Sequence, residues 1–332
     1  MKKKIALVTG GYSNESQISY KSAKTIFNNL DKKLFDVYTI DITPEGWFYV
    51  EEGVRKNEID RNDFSLKMKD TNIHFDAVFI GMHGTPGEDG KLQGYFDMLQ
   101  LPYTSCNAAT SAITFNKRYT VAVAALAGIH VAASVHLFKD TPYNTEDILS
   151  RLQLPLFIKP NNGGSSIGMS KVNQSSELEA AIEKAFKEDD QVLVEEMING
   201  REFTVGVYKF QNKIKVLPIT EVMTEKDFFD FEAKYQGKSS EVTPADIPGN
   251  WKQQIEAAAQ KIYEVFNCSG VVRIDFIYEE TQQKPFMLEI NTVPGQSEAS
   301  IIPQQVQAAG MTLKDFYAAL VEEALTSYKL HV

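Results

Sequence analysis

Two short stretches of the 332-residue chain place acids and an amide on what would otherwise be apolar strands. In VVRIDFIY (271–278) Arg273 and Asp275 alternate with Val272, Ile274 and Phe276. In FMLEINTVPG (286–295) Glu289 and Asn291 stand two residues apart before a break at Pro294-Gly295. Residues two apart on a strand share a face. The linker EETQQK is polar and short enough for a hairpin turn, so the strands are expected to pair antiparallel and bring Asp275 opposite Glu289. Cross-strand partners lie roughly 5 Å apart, where two unneutralised carboxylates repel or force one to keep its proton. A hard divalent cation between them, with Asn291 as a third oxygen ligand, resolves the conflict. The plain alternative is a solvated sheet face, the usual setting of isolated strand acids. Four polar groups on one face of a hairpin whose other face is apolar favour the metal site.

A second group of residues suits phosphate. Lys159 ends the apolar run LPLFIKP, where Pro160 stops the strand and aims the ammonium outward. Gly163, Gly164, Ser165, Ser166 and Gly168 follow as a loop whose backbone N–H groups and hydroxyls can close over phosphates. A surface lysine at a loop edge would be the better reading in isolation; beside such a loop, Lys159 suits ATP. VLVEEMINGREFTV adds Glu195 and Glu196 at a strand end and Glu202 seven residues beyond Glu195. A carboxylate there can accept from ribose hydroxyls, although each glutamate taken singly reads as a solvated surface group.

These residues need elements to hold them. Ile5 to Thr9 reads as a strand, Gly10-Gly11 as a turn, SQISYKSAKTIFNNL as a helix and FDVYTIDI as a strand, and the alternation resumes at FDAVFIGMHG and GKLQGYFDMLQLPYTS. This predicts an α/β unit with a mostly parallel sheet over about the first hundred residues. It resembles half of a doubly wound fold in architecture only. Gly10-Gly11 lacks the GxGxxG spacing of a dinucleotide site, and GGYSNES lacks the Lys-Ser/Thr ending of a P-loop, which leaves an oxidoreductase the least favoured reading. A helix over NKRYTVAVAALAGIHVAAS turns at Gly128 into a small strand–loop–strand–helix–strand unit. Antiparallel strands follow from REFTVGVYKF. TEKDFFDFEAKYQGKSSEVTPADIPGN is too polar and broken for core and suits a lid. WKQQIEAAAQKIYEVFN and TLKDFYAALVEEALTSY have helical periodicity on either side of the hairpin.

Composition bounds the function. Hydrophobic residues make up 43% of the chain and charged residues 23%, as in ordinary soluble proteins. A net charge of -10 argues against a nucleic-acid partner, so an anionic ligand needs locally placed lysines. Cys106 and Cys268, two cysteines in all, make no disulfide framework and suit a reducing compartment, so the cytoplasm is expected. MKKKIALVTGG has too short an apolar run for a signal peptide, and no stretch approaches the roughly 20 apolar residues of a membrane span. No membrane partner is expected.

Taken in order, GGYSNESQIS (10–19), MHGTPGEDGKLQG (82–94), Asn116-Lys117, IKPNNGGSSIGMSKV (158–172), EEMINGREFTV, FFDFEAKY (228–235), RIDF and EINTVPG resemble the ATP-grasp superfamily, and within it closely the D-alanine:D-alanine ligase family. Any one stretch is weak; eight in order span nearly the whole chain. The resemblance implies an N-terminal α/β unit (1–109) followed by the two lobes of the ATP-grasp fold, α/β and α+β in class. The lobes would cover 110–198 and 199–332, with a lid over about 224–249. It also implies a homodimer through the first unit.

The family's reaction phosphorylates the carboxylate of one D-alanine with ATP. The amine of a second D-alanine then attacks the acyl phosphate and phosphate leaves, as in peptidoglycan precursor synthesis. Carried onto matching positions, Lys117 and Lys159 hold ATP phosphates, with Lys234 reaching them when the lid closes. Glu195, Glu196, Met197 and Ile198 line the adenine pocket, Glu202 takes the ribose, and Phe228 and Leu288 complete the nucleotide site. Asp275, Glu289 and Asn291 match ligands of two magnesium ions, with manganese as a substitute. Glu15 binds the first substrate's ammonium, with Ser165 and Tyr235 as its hydrogen-bonding partners. His83 contacts the intermediate, Arg273 and the backbone N–H near Gly295 stabilise the tetrahedral oxyanion, and Ser300 with Ile301 binds the second carboxylate. The chain departs from the family at GQSEASIIP, where Gln296 and Glu298 fall beside that last pocket; a glutamate there is unfavourable unless it points away. The tyrosine of EAKY favours an amine over a hydroxy acid as second substrate. The rival readings are another ATP-grasp ligase, using D-lactate or a different amino acid, and a noncatalytic nucleotide or amino-acid binding protein. The intact set of Lys117, Lys159, Arg273, Asp275, Glu289 and Asn291 speaks against the latter, because binding alone needs no oxyanion donor beside a metal site.

Overall fold

The structure, a computed structural model, describes residues 2–163, 167–224 and 239–328. Its first sheet is built on the strand Lys3–Gly10, in which Ile5, Ala6, Leu7 and Val8 are all fully buried. A strand buried on both faces belongs in the middle of a parallel sheet, and this one pairs in parallel with Phe35–Thr43 on one side and Ala77–Ile80 on the other. Helix Ser16–Asn29 makes the first crossover. Beyond Phe35–Thr43 the sheet continues antiparallel through Gly46–Glu51, Val54–Asp60, Ser65–Lys67 and Asn72–Ile73. The mostly parallel sheet expected from the sequence is therefore confined to the three strands at one end. The rest is a meander whose polar strand Val54–Asp60 gives little hydrophobic signal: only Ile59 is buried, against Trp47, Phe64 and Leu66.

The second sheet has four antiparallel strands in the order Ser170–Val172, Leu156–Pro160, Gln191–Glu196, Ser134–Phe138. Its apolar face packs on helices Thr145–Arg151 and Leu178–Ala185 through Ile158, Val192, Val194, Ile148 and Ile182. That burial leaves the opposite face, with Lys159 and Glu195, for the cleft. The third sheet runs Ser239–Val242, Glu221-containing Thr220–Thr224, Arg201–Phe210, Val271–Glu279, Lys284–Asn291, with Lys213–Val216 also paired to Arg201–Phe210. The far part of the expected lid is thus an edge strand at Ser239–Val242. Residues 225–238 lie outside the described residues.

Helix Gly249–Val265 covers one face of the third sheet through Ile255, Ala259 and Ile262. Helices Ile301–Ala308 and Leu313–Tyr328 cover the other, and their Val306, Phe316 and Leu320 share one core with Ile5, Leu7 and Phe79 of the first sheet. This shared core sets the carboxyl ends of the first sheet's parallel strands beside the hairpin.

The hairpin has the expected pairing: Asp275 faces Glu289 and Arg273 faces Asn291. The register then shifts, so that Phe276 faces Met287 and Leu288 is the extra residue of a β-bulge. The shift reverses side-chain parity, which is how Met287 and Ile290, three apart, both enter the core while Leu288 and Glu289 both line the cleft. Among the described residues no helix is long and apolar enough to cross a membrane.

Candidate active site

A cleft of about 1760 Å³ lies between the three sheets. It collects Glu15 and His83 from the first sheet, Lys117, Lys159, Glu195, Glu196, Met197 and Ile198 from around the second, and Glu202, Arg273, Asp275, Leu288, Glu289 and Asn291 from the third. Gly295 and Ser300 join from the loop that follows. Ser165, Phe228, Lys234 and Tyr235 lie outside the described residues.

The positive charge that the opposed carboxylates require is present as a side chain. Arg273 binds Asp275 with both teeth of its fork, Nε to Oδ1 at 2.9 Å and Nη2 to Oδ2 at 2.8 Å, and the same Nη2 lies 3.9 Å from Glu289 Oε1. Thr204, directly across the neighbouring strand, donates to Asp275 Oδ1 at 2.5 Å, and Asn291 Nδ2 donates to Oδ2 at 3.3 Å. Burial opposes the arginine's charge, but Asp275, then Glu289 and Glu88, outweigh it and hold its pKa above the ordinary value. The residues also fit a divalent cation. Two opposed carboxylates and an amide on one face match an ion that takes one or two carboxylates and leaves its other positions to phosphate and water. Among the described residues no three His, Cys, Asp or Glu side chains converge as a complete metal cage.

The two lysines approach from different elements. Lys159 donates to Glu195 Oε2 at 2.6 Å, from the strand directly across the sheet. Burial works against its charged form, yet Glu195, with Glu289 and Glu202 behind it, raises its pKa above the usual lysine value. Lys117 begins helix Lys117–Leu126, capped by Asn116 Oδ1 accepting from Tyr119 N at 3.1 Å, and its Nζ donates to Gly163 O at 2.7 Å. Lys117 thus reaches the start of the glycine loop and Lys159 the strand end beside it, so that both ammonium groups face one cleft. Glu196 turns its Oε1 to the Gln153 N–H at 2.7 Å, and Met197 N donates to Pro155 O at 3.0 Å.

At the first sheet, Glu15 stands at the N-cap position of helix Ser16–Asn29, just past the Gly10-Gly11 turn, and its side chain makes no capping hydrogen bond. Gly84 crosses beside it at φ +67, so close that a Cβ there would stand 2.7 Å from Glu15 Oε2. His83 is buried, its Nε2 2.9 Å from Ser22 Oγ and its backbone N–H donating to Ser19 Oγ at 2.9 Å. Burial pushes its pKa down to about 4. Ser300 lies 2.7 Å from Ser297, hydroxyl to hydroxyl, ahead of helix Ile301–Ala308. Gln296, a concern in the sequence, is buried, and its Oε1 accepts from Tyr317 OH at 3.2 Å; Glu298 is exposed and does not line the cleft.

Two cleft residues escaped the sequence reading. Thr204 could have been found, since it alternates along Arg201–Phe210 with the apolar positions Phe203 and Val205. Glu88 sits in the quoted GEDG stretch without a role. Its Oε2 accepts from Gly84 N at 2.7 Å and its Oε1 from Val293 N at 3.3 Å. Burial, then the neighbouring Glu15, pushes its carboxyl up to about 8 despite those two hydrogen bonds.

Residues 4–106 match the family model for the D-ala D-ala ligase N-terminus, and residues 123–322 that for the D-ala D-ala ligase C-terminus. The chain is 45% identical to the D-alanine–D-alanine ligase of Flavobacterium johnsoniae, over 97% of this chain and 99% of that protein. Among solved structures, the VanG D-Ala:D-Ser ligase from Enterococcus faecalis superposes with a TM-score of 0.86 at 32% identity, covering 98% of this chain and all of that one. The ATP complex of the Bacillus anthracis D-alanine–D-alanine ligase superposes with a TM-score of 0.80 at 27% identity, over 99% of this chain and all of that one. With matched segments at both ends and full-length relatives of this identity, the chain belongs to the D-alanine–D-alanine ligase family.

Proposed function

We propose that this protein joins two D-alanine molecules at the expense of ATP, releasing ADP and phosphate, in the cytoplasm and for peptidoglycan precursors. The observation that carries the reading is the meeting, in one cleft, of Lys117 and Lys159 with the Arg273–Asp275–Glu289–Asn291 face. Two lysines offer charge to a triphosphate, and the hairpin offers charge to the group being transferred. Magnesium bound by Asp275, Glu289 and Asn291 would neutralise phosphate charge.

The chain's own residues divide the rest. Glu15 receives the ammonium of the first D-alanine, whose carboxylate oxygen attacks the γ-phosphorus while ADP leaves. Glu202 accepts from the ribose, and residues 195–198 with Leu288 enclose the adenine. Ser300 receives the carboxylate of the second D-alanine. Its amine attacks the acyl carbon, Arg273 and the Gly295 N–H hold the oxyanion, and phosphate departs. Ser165, Phe228, Lys234 and Tyr235 are assigned by family resemblance, as are the lid, the units 1–109, 110–198 and 199–332, and a homodimer. The likeness to a D-Ala:D-Ser ligase makes a different second substrate the reading to test beside it.

The test is ADP release with magnesium and ATP in the presence of D-alanine, beside L-alanine, D-serine and D-lactate, with Glu289→Ala as control. The expected result is rapid ADP release with D-alanine alone, and its loss in the variant. No ADP with D-alanine would sink the substrate assignment; an active Glu289→Ala would sink the metal face.

A further inference from the structure

Gly295 stands in a turn, Val293–Gln296, that no regular hydrogen-bond ladder holds, and Gly295 lines the cleft. Both ends of that turn are gripped from the first sheet. Gln296 N donates to Ser22 Oγ at 3.1 Å, across 274 residues of chain. Ser22 Oγ lies 2.9 Å from His83 Nε2. At the turn's other end Val293 N donates to Glu88 Oε1 at 3.3 Å. The Ser22 oxygen already accepts from Gln296, so its own proton is left for the His83 Nε2 beside it, which makes that nitrogen the acceptor of the neutral imidazole. Ser22 is fully buried, and His83 and Gln296 nearly so.

We infer that Ser22 is a positioning residue for the ligation reaction: braced by His83, it fixes the Gln296 end of the Val293–Gln296 turn, whose other end Glu88 holds, and so aims the Gly295 N–H. This rests on the proposed ligase activity. A hydroxyl is the smallest group that can accept from one amide and donate to an imidazole at once. Ser22 stands on the buried face of helix Ser16–Asn29, one turn from Ser19, whose hydroxyl takes the His83 backbone N–H. One helix face therefore holds the histidine by its backbone and by its ring. The inference gives His83 a different task from contact with the intermediate: its Nε2 is engaged by Ser22.

The test compares the wild type with Ser22→Ala and Ser22→Thr, measuring kcat, KM for ATP and KM for D-alanine, together with the ¹⁵N shifts of the His83 ring. Ser22→Ala is expected to lower kcat by about tenfold or more, since small misplacements of a reacting group are costly, with KM for ATP within twofold of wild type. Its His83 ring should leave the single tautomer that Ser22 enforces in the wild type. Ser22→Thr, if it keeps its fold, should recover kcat and tautomer together. An unchanged kcat in Ser22→Ala, or an unchanged ring tautomer, would overturn the inference, as would a loss of ATP affinity as large as the loss of kcat, which marks general damage. A wild type that fails to join D-alanine would instead overturn the proposed function.

Discussion

Arg273 holds Asp275, two residues along its own strand, in a two-toothed ion pair, and does so with the carboxylate of Glu289 less than one side-chain length away. One guanidinium thus serves two acids that face each other across the hairpin. A divalent cation held by Asp275 and Glu289 would share with Arg273 the neutralisation of these two acids.

Replacing Arg273 separates these duties. Arg273→Ala leaves the buried Asp275 without its partner and should cost roughly 3 kcal/mol of stability, the lower end for breaking a buried pair, since Thr204 and Asn291 still donate. Arg273→Lys keeps the charge and loses the fork. It should stay close to wild type in denaturant unfolding while kcat falls about a hundredfold, the usual scale for a lost oxyanion donor. A lysine variant with wild-type turnover would place Arg273 outside the chemistry.

Lys159 and Glu195 make a second test of pair against site. Removing one partner strands a charge: Lys159→Ala should lower stability by about 3–5 kcal/mol and raise KM for ATP. Lys159→Met combined with Glu195→Leu removes both charges, and urea unfolding should show most of the stability restored while ATP affinity remains poor. Recovery of ATP binding in the double variant would mean that Lys159 serves the fold alone.

The hairpin was legible because two period-two runs and a short polar linker leave one register that buries Ile274 and Ile290, and that register puts Asp275 opposite Glu289. What fills the space between them was not legible, since whether Arg273 lies over Asp275 depends on packing against Thr204 of another strand. The bulge at Leu288 hides for a similar reason: inserting one residue changes parity without changing composition. Ser22 and Glu88 look like ordinary helix and loop residues, and their meaning comes from Gln296 and Val293, over two hundred residues away. The antiparallel meander over residues 46–73 was missed because a strand such as Val54–Asp60, in which only Ile59 is buried, gives little hydrophobic signal.

Glu88 and His83 should mark the pH dependence of stability with opposite signs. The Glu88 carboxyl rises from 4.5 to about 8 on folding, so between those values the native state holds a proton that the unfolded chain has lost, and stability falls as pH rises. The His83 imidazole falls from 6.5 to about 4, so its contribution is present above 6.5 and is lost as pH drops toward 4. The two offset one another between about 4.5 and 6.5, leaving the range from 6.5 to 8 to Glu88. There the wild type should lose up to about 1.4 kcal/mol per pH unit relative to Glu88→Gln. Parallel stability curves for the two proteins across that range would show that Glu88 is already ionised in the fold.

Gly84 offers the sharpest separation of the two substrates. Its φ of +67 is strained for any side chain, and a Cβ would stand 2.5 Å from Ser13 Oγ and 2.7 Å from Glu15 Oε2. The two closest groups, the Ser13 hydroxyl and the Glu15 carboxylate, are side-chain ends that can yield without moving backbone. Gly84→Ala should therefore swing Glu15 off its aim and raise KM for D-alanine by at least about tenfold, the cost of losing one charge-assisted hydrogen bond. KM for ATP should hold, because Lys117 and Lys159 are placed by the second sheet and the helix beside it. Initial rates taken with each substrate varied in turn decide the matter: equal rises in both constants would mean that the loop, not the carboxylate, had moved.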